Sequence, residues 1–132
     1  MRFLLPAALV IVGIIHLLPL VGVLGADRLT SLYGVAFVEP DTVILMRHRA
    51  VLFGLLGGFL VYAAFRPPLR LAALIVGFIS VVSFLCLAWA VGDYNDAIAR
   101  VVAADLVALA CLVVGGVGHA LTRHRARAIV RS

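Results

Sequence analysis

Three ionisable side chains stand side by side in "MRHRAVLFGLLGG", residues 46 to 58, where a polar start runs into an apolar segment. Arg47 and Arg49 supply charged hydrogen-bond donors, and His48 exchanges a proton near neutral pH. Asp105 places a carboxylate inside a second apolar segment, "RVVAADLVAL". An isolated charge in hydrocarbon costs at least ~2.5–3.5 kcal/mol, so we expect Arg47 and Asp105 to pair.

A histidine close to a proline adds a second candidate. His16 lies three residues before Pro19 in "IIHLLPL". Proline lacks the backbone donor of other residues, so it frees the carbonyl of Ile15, beside the imidazole. The imidazole of His16 and the free carbonyl beside it could together bind a ligand. The alternative is that His16 forms a hydrogen bond to a neighbouring helix.

Composition places these groups in a membrane. Of 132 residues, 65% are hydrophobic and 13% charged, with a mean hydropathy of +1.23. Soluble domains are about a quarter charged, and a chain this short cannot bury so much apolar surface. The two cysteines stand apart inside apolar segments and no ligand-spaced His or Cys set is present, so neither metal nor cofactor is predicted.

The net charge of +5 comes from arginine alone among the basic residues. Four arginines fall in the last ten residues, at positions 123, 125, 127 and 131. A basic cluster next to a membrane segment favours anionic lipid headgroups. Membrane lipids are therefore the expected partners, and nucleic acid is not.

Four apolar runs are each long enough to cross a bilayer, at about 3–25, 43–65, 70–92 and 99–121. The sequence thus predicts a single all-α domain, an antiparallel four-helix membrane bundle, with a loop at 26–42 and a basic tail at 122–132. Pro67 and Pro68 end the second helix and begin the third as a tight hairpin. The first run exceeds the apolar core of a secretory signal, so we expect it to be retained.

Arginine distribution predicts the orientation. With both termini cytoplasmic, seven arginines lie inside and four outside, the outer ones being Arg28, Arg47, Arg49 and Arg100. The expected location is the inner (cytoplasmic) membrane, as a multi-pass protein. The outer loop 26–42 is apolar enough to lie along the interface or to fold back as a lid.

This topology brings the ionisable groups to one leaflet. Arg47 and Asp105 lie roughly 6–9 Å below the outer helix ends and His16 roughly 13 Å below. Arg47 shares its face with a stripe of small residues that includes Gly54, whereas Arg49 points about 200° away and is expected to snorkel to headgroups. Small residues let membrane helices approach closely, so the stripes around Gly54 and Gly115 are predicted to pack most tightly.

The candidate ligand-binding site comprises the following residues: Arg47, Asp105, His16, His48, Arg100 and Tyr33. In it, Arg47 and Asp105 form the charged core, His16 lies beneath, and the other three lie at the rim. The alternative is a structural ion pair between Arg47 and Asp105 that only fixes helix packing.

The size, the four spans, the "LYG" of the first loop (32 to 34) and "RHRAVLFGLLGG" together resemble the small bacterial DoxX-like four-helix membrane proteins. The resemblance covers most of the chain. It implies an association with quinone-linked sulfur oxidation or redox defence, and it carries no catalytic motif.

Three functions follow as hypotheses. The first is binding of a lipophilic or anionic-headed ligand, a quinone or a lipid, at the polar layer. The second is an accessory or anchor subunit of a larger membrane complex, or a homo-oligomer. The third is a membrane-embedded isomerase or oxidoreductase that uses His16 or His48 as acid or base.

Overall fold

The computed structural model describes residues 3–131, and the side chains of residues 3–122. Within this range four helical segments are long and apolar enough to cross a membrane: Leu4–Leu24, Pro40–Ala64, Pro67–Val91 and Asp96–Thr122. The chain is an all-α, multi-pass membrane bundle, as its sequence predicts. The third and fourth segments each begin three residues before their predicted starts.

The first membrane segment changes its winding part of the way along. Helix α1 (Leu4–Leu17) continues directly as a 3-10 segment (Leu18–Leu24). The change falls next to Pro19, which has no N–H for the helical ladder. The backbone N–H of Leu18 donates to the carbonyl of Ile15. The expectation of a free Ile15 carbonyl is therefore wrong, because the tighter 3-10 turn supplies a donor.

The loop between the first two spans contains a short helix that covers one end of the bundle. Helix α2 (Ala26–Tyr33) ends at Gly34, whose φ of 66° is the left-handed conformation that favours glycine. Leu29 is fully buried and Tyr33 only 6% exposed. The loop thus folds back as a lid, one of the two predicted arrangements.

One side chain fastens this lid to the last helix. The Nδ2 of Asn95 donates to the carbonyl of Tyr33 at 2.9 Å. Its Oδ1 accepts from the N–H of Ile98 at 2.9 Å, which caps the start of helix α5 (Asp96–Arg131). A single amide therefore joins the end of α2 to the beginning of α5.

The middle of the chain forms the predicted hairpin. Helices α3 (Pro40–Ala64) and α4 (Arg70–Val91) are joined by a 3-10 turn, Pro67–Leu69. The Nε and Nη2 of Arg70 donate to the carbonyl of Ala64 at 3.1 and 2.8 Å and so satisfy the end of α3. The predicted basic tail forms the end of α5, but its side chains (123–132), like Arg2, lie outside the described residues.

Helix α1 lies at the centre of the packing, against α3 on one side and α5 on the other. A Cβ on Gly57 would lie 2.7 Å from the carbonyl oxygen of Gly13, and one on Gly115 would lie 2.9 Å from the Cβ of Ala8. Close backbone approach at these positions requires small residues. The small-residue stripes on α3 and α5 therefore do pack tightly, each against α1.

Candidate functional site

A cavity of about 220 Å³ lies under α2, at the end of the bundle where the 3-10 segment begins. Helices α3 and α5 form opposite walls, and within the described residues their backbones nowhere approach each other closely. Most of the lining is apolar, from Ile15, Leu18, Pro19, Leu32, Phe53, Phe84, Ala97, Val101 and Ala104. The polar lining comes from His16, Tyr33, Arg49, Arg100 and Asp105.

Arg49 is the half-buried one of the two arginines that line the cavity. Its Nη1 donates to the hydroxyl of Tyr33 at 3.0 Å. Its guanidinium carbon lies 4.8 Å from the ring centroid of Phe53 and 5.4 Å from that of Tyr33. Both distances are those of cation–π contacts. The expectation that Arg49 snorkels to headgroups is wrong, because α2 supplies a hydroxyl and a ring that hold it.

Arg47 and His48 lie elsewhere. The Arg47 side chain is exposed and its Nε donates to the carbonyl of Val23, 2.8 Å away in the 3-10 segment; His48 is exposed as well. Neither lines the cavity. The expected pairing of Arg47 with Asp105 is therefore wrong. The reason is that the small stripe of α3 faces α1 and its 3-10 extension, and it carries Arg47 to that side.

His16 is the buried polar residue at the floor of the cavity, 3% exposed. Its Nδ1 lies 2.9 Å from the carbonyl of Val12, which can only accept, so Nδ1 carries a hydrogen. In the neutral imidazole Nε2 then accepts from the hydroxyl of Ser80 in α4, 3.0 Å away. The ring also packs against Phe53, with centroids 5.6 Å apart. The alternative of an interhelical hydrogen bond is confirmed, and the same ring lines the cavity.

Helix α5 supplies the remaining charges. Asp105 is half-buried and Arg100 exposed, and both line the cavity. No hydrogen bond to the Asp105 carboxylate forms among the side chains of residues 3–122. With Arg49, the cavity lining carries two cations and one anion, a formal surplus of one positive charge.

This combination suits a compact, oxygen-bearing group. Guanidinium groups bind carbonyl, carboxylate or phosphate oxygens, and a free carboxylate accepts from a hydroxyl. Pockets for drug-sized ligands span about 300–1,000 Å³, so the cavity is the size of a ring or a headgroup. Its apolar lining favours a molecule that arrives from the bilayer.

Sequence reasoning missed Arg49 and its aromatic partner Phe53, although a signal for them exists. The two residues are four apart, so they share a helix face, and an arginine next to an aromatic ring is a common stabilising pair. The phenyl ring of Phe84 was missed because no local pattern shows which side of α4 faces the cavity.

Comparison with protein-family models, with curated proteins and with solved structures finds no match to this chain. The resemblance to DoxX-like proteins stays a prediction.

Proposed function

We propose that the protein binds an amphipathic membrane molecule, a quinone or a lipid, with its oxygen-bearing head in the cavity beneath α2. The observation that supports this most directly is Arg49, a cation held in an apolar cavity beside the carboxylate of Asp105. Structural arginines in membrane proteins pair with acceptors or snorkel to headgroups. Arg49 has one such acceptor, the Tyr33 hydroxyl, and also lines a cavity large enough for a ligand head.

The hydrogen-bonding state of Arg49 supports the same proposal. A guanidinium has five N–H donors, and among the described side chains only the Tyr33 hydroxyl accepts from this one. The remaining N–H groups are available to carbonyl or phosphate oxygens of a ligand head. The surplus positive charge of the lining favours the same electron-rich heads.

The hydrogen bonds of His16 favour a structural role in a binding site over a role in proton transfer. Both ring nitrogens already have partners, Val12 and Ser80. An acid or base needs a nitrogen in reach of the substrate. We assign His16 a positioning role, in which it holds α1 against α4 beneath the head.

The proposed orientation places the cavity in the outer leaflet. The arginine bias puts both termini in the cytoplasm, so α2 lies on the outer side of an inner membrane. The head would then enter the cavity near the outer interface.

The test compares two arginine substitutions two residues apart. Arg49→Gln and Arg47→Gln remove the same charge from the same helix, but only Arg49 lines the cavity. The purified protein in nanodiscs is titrated with decyl-benzoquinone and, separately, with lysophosphatidic acid. Native mass spectrometry of the protein from mild detergent detects any molecule it retains.

We expect Arg49→Gln to weaken binding at least ~10-fold, the loss of one charge-assisted hydrogen bond worth about 1.5–3 kcal/mol. Arg47→Gln should bind like the wild type. The probe that saturates identifies the head, a quinone carbonyl or a phosphate. Equal affinities of both variants and the wild type, or no saturable binding of either probe, would refute the proposed function.

A further inference from the structure

The cavity is too small for the chain of an amphiphile. About 220 Å³ takes a ring or headgroup, whereas isoprenoid and acyl chains are much larger than such a head. If the proposed function holds, the chain must leave the cavity through a wall of the bundle. The helix seams differ in how far they permit this.

Two of the seams are closed by backbone contact. The seam between α1 and α3 closes where Gly57 meets Gly13, and the seam between α1 and α5 closes where Gly115 meets the backbone of Leu5 and the Cβ of Ala8. The seam between α3 and α4 is more loosely packed than the α1–α3, α1–α5 and α4–α5 seams. It therefore offers less resistance to a chain than these three seams.

A groove of about 190 Å³ lies in that loose seam, lined by Arg49, Leu52, Phe53, Leu56 and Ser80. Arg49 and Phe53 also line the cavity. Ser80 bonds the imidazole of the cavity floor. Cavity and groove are therefore adjacent, with Phe53 lining both.

We propose that the ligand is a single-chain amphiphile whose chain passes from the cavity past Phe53 into the groove between α3 and α4, and from there into the bilayer. The groove lies in the membrane-crossing part of α3, and Leu52 on its wall is 50% exposed. Its walls beyond Arg49 and Ser80 are apolar, as an alkyl chain requires. One groove accommodates one chain, so quinones and lysolipids fit better than two-chain phospholipids. The proposal rests on the proposed function above.

Photo-crosslinking tests the path. The probes are decyl-benzoquinone and lysophosphatidic acid, each with a diazirine in the middle of its chain, added to the full-length protein in nanodiscs. We expect the labelled peptides to contain Leu52, Leu56 or Ser80, with labelling suppressed by an excess of the unlabelled probe. Suppressible labelling concentrated on α1 or α5 instead would overturn the path.

A pair of substitutions separates chain from head. Leu52→Trp fills the groove, whereas Leu55→Trp adds the same bulk at a 67% exposed position on α3 outside it. We expect Leu52→Trp to weaken binding of decyl-benzoquinone roughly 10-fold, the loss of about two buried CH₂ groups. Binding of benzoquinone without a chain should change less than ~2-fold on the same scale, and Leu55→Trp should change neither affinity.

The outcomes distinguish the two proposals. If binding of decyl-benzoquinone depends on Arg49 but is unchanged by Leu52→Trp, the chain path is overturned and the proposed function still stands. The chain path is also overturned if Leu52→Trp and Leu55→Trp both weaken the binding of decyl-benzoquinone and of benzoquinone without a chain. Absence of saturable binding to the wild type refutes the proposed function, and this inference with it.

Discussion

Two regions of the bundle are built from the same helices in opposite ways. Where α1 crosses α3 and α5, backbones touch through Gly13, Gly57 and Gly115, and a single added methyl group has no space. Under α2, the corresponding walls of α3 and α5 stand apart around a cavity of about 220 Å³. The first region we call the glycine crossing, comprising these three glycines with Ala8; the second is the cavity.

The difference shows how a small membrane protein can be rigid and still have space for a guest. The glycine crossing fixes the relative positions of three helices by contacts with backbone atoms, which yield little. The cavity can then stay open without collapse of the bundle. Substitutions should accordingly affect stability at the crossing and binding at the cavity. The expected effects on unfolding, from largest to smallest, test this division.

Gly57→Leu should have the largest effect. Its Cβ would meet the Gly13 carbonyl oxygen at 2.7 Å and the backbone nitrogen of Leu17 at 3.0 Å. Because backbone atoms cannot move aside as a side chain can, we expect a loss of about 3 kcal/mol or failure to fold. Thermal unfolding in detergent measures it. Gly58→Leu is the control, since a Cβ on Gly58 meets nothing within 4 Å.

Leucine substitutions at two other glycines should destabilise the protein to different extents. A Cβ on Gly115 meets Ala8 and the backbone of Leu5, whereas one on Gly54 meets only the flexible end of Leu20. We therefore rank Gly115→Leu above Gly54→Leu. Similar melting temperatures for Gly57→Leu and Gly58→Leu would show that the glycine crossing is not the rigid part of the bundle.

Ser80→Ala should have an intermediate effect, because it removes the bond that connects α1 to α4 beneath the cavity. Interhelical hydrogen bonds in membranes contribute about 0.6–2 kcal/mol, and we expect a loss of about 1 kcal/mol. Ser83→Ala is the control, since the Ser83 hydroxyl bonds only to the carbonyl of Ser80 in its own helix. Both are measured by chemical unfolding. Equal stability of the two variants would mean that His16 is held by packing alone.

Ala104→Leu should have the smallest effect on stability and a large one on binding. Ala104 lines the cavity and is half-buried, so the added carbons enter empty space, and leucine is a good helix former. We expect the free energy of unfolding to change by less than ~1 kcal/mol, while binding of decyl-benzoquinone falls at least ~10-fold. A destabilisation as large as that of Gly57→Leu would show that the cavity has no spare volume.

The fold was predictable because it depends on run lengths. A crossing helix needs roughly 20 apolar residues, and the chain has four such runs, with Pro67 and Pro68 between two of them. The 3-10 winding after Leu17 was not predictable, because it depends on which donors remain near Pro19. The partner of the small stripes was not predictable either, since a stripe shows that something packs closely but not which helix does.

The site was predictable only in part for a related reason. Four of the six residues of the candidate site line one cavity: His16, Tyr33, Arg100 and Asp105. From the sequence, Arg47 was chosen over Arg49 because α3 was assumed to have one inward face. It has two, about 200° apart on an ideal helix: one meets α1, and the other meets the cavity and holds Arg49.

The 3-10 winding of Leu18–Leu24 also sets the hydrophobic length of the first span. A 3-10 helix rises about 2.0 Å per residue, against 1.5 Å for an α-helix. Over seven residues this adds about 3.5 Å, so the 21-residue span comes closer to the reach of its 25-residue neighbours. Wound as an α-helix throughout, it would be short of them by about 6 Å. The surrounding bilayer would then have to thin along that side of the protein, at a cost of fractions of a kcal/mol per Å.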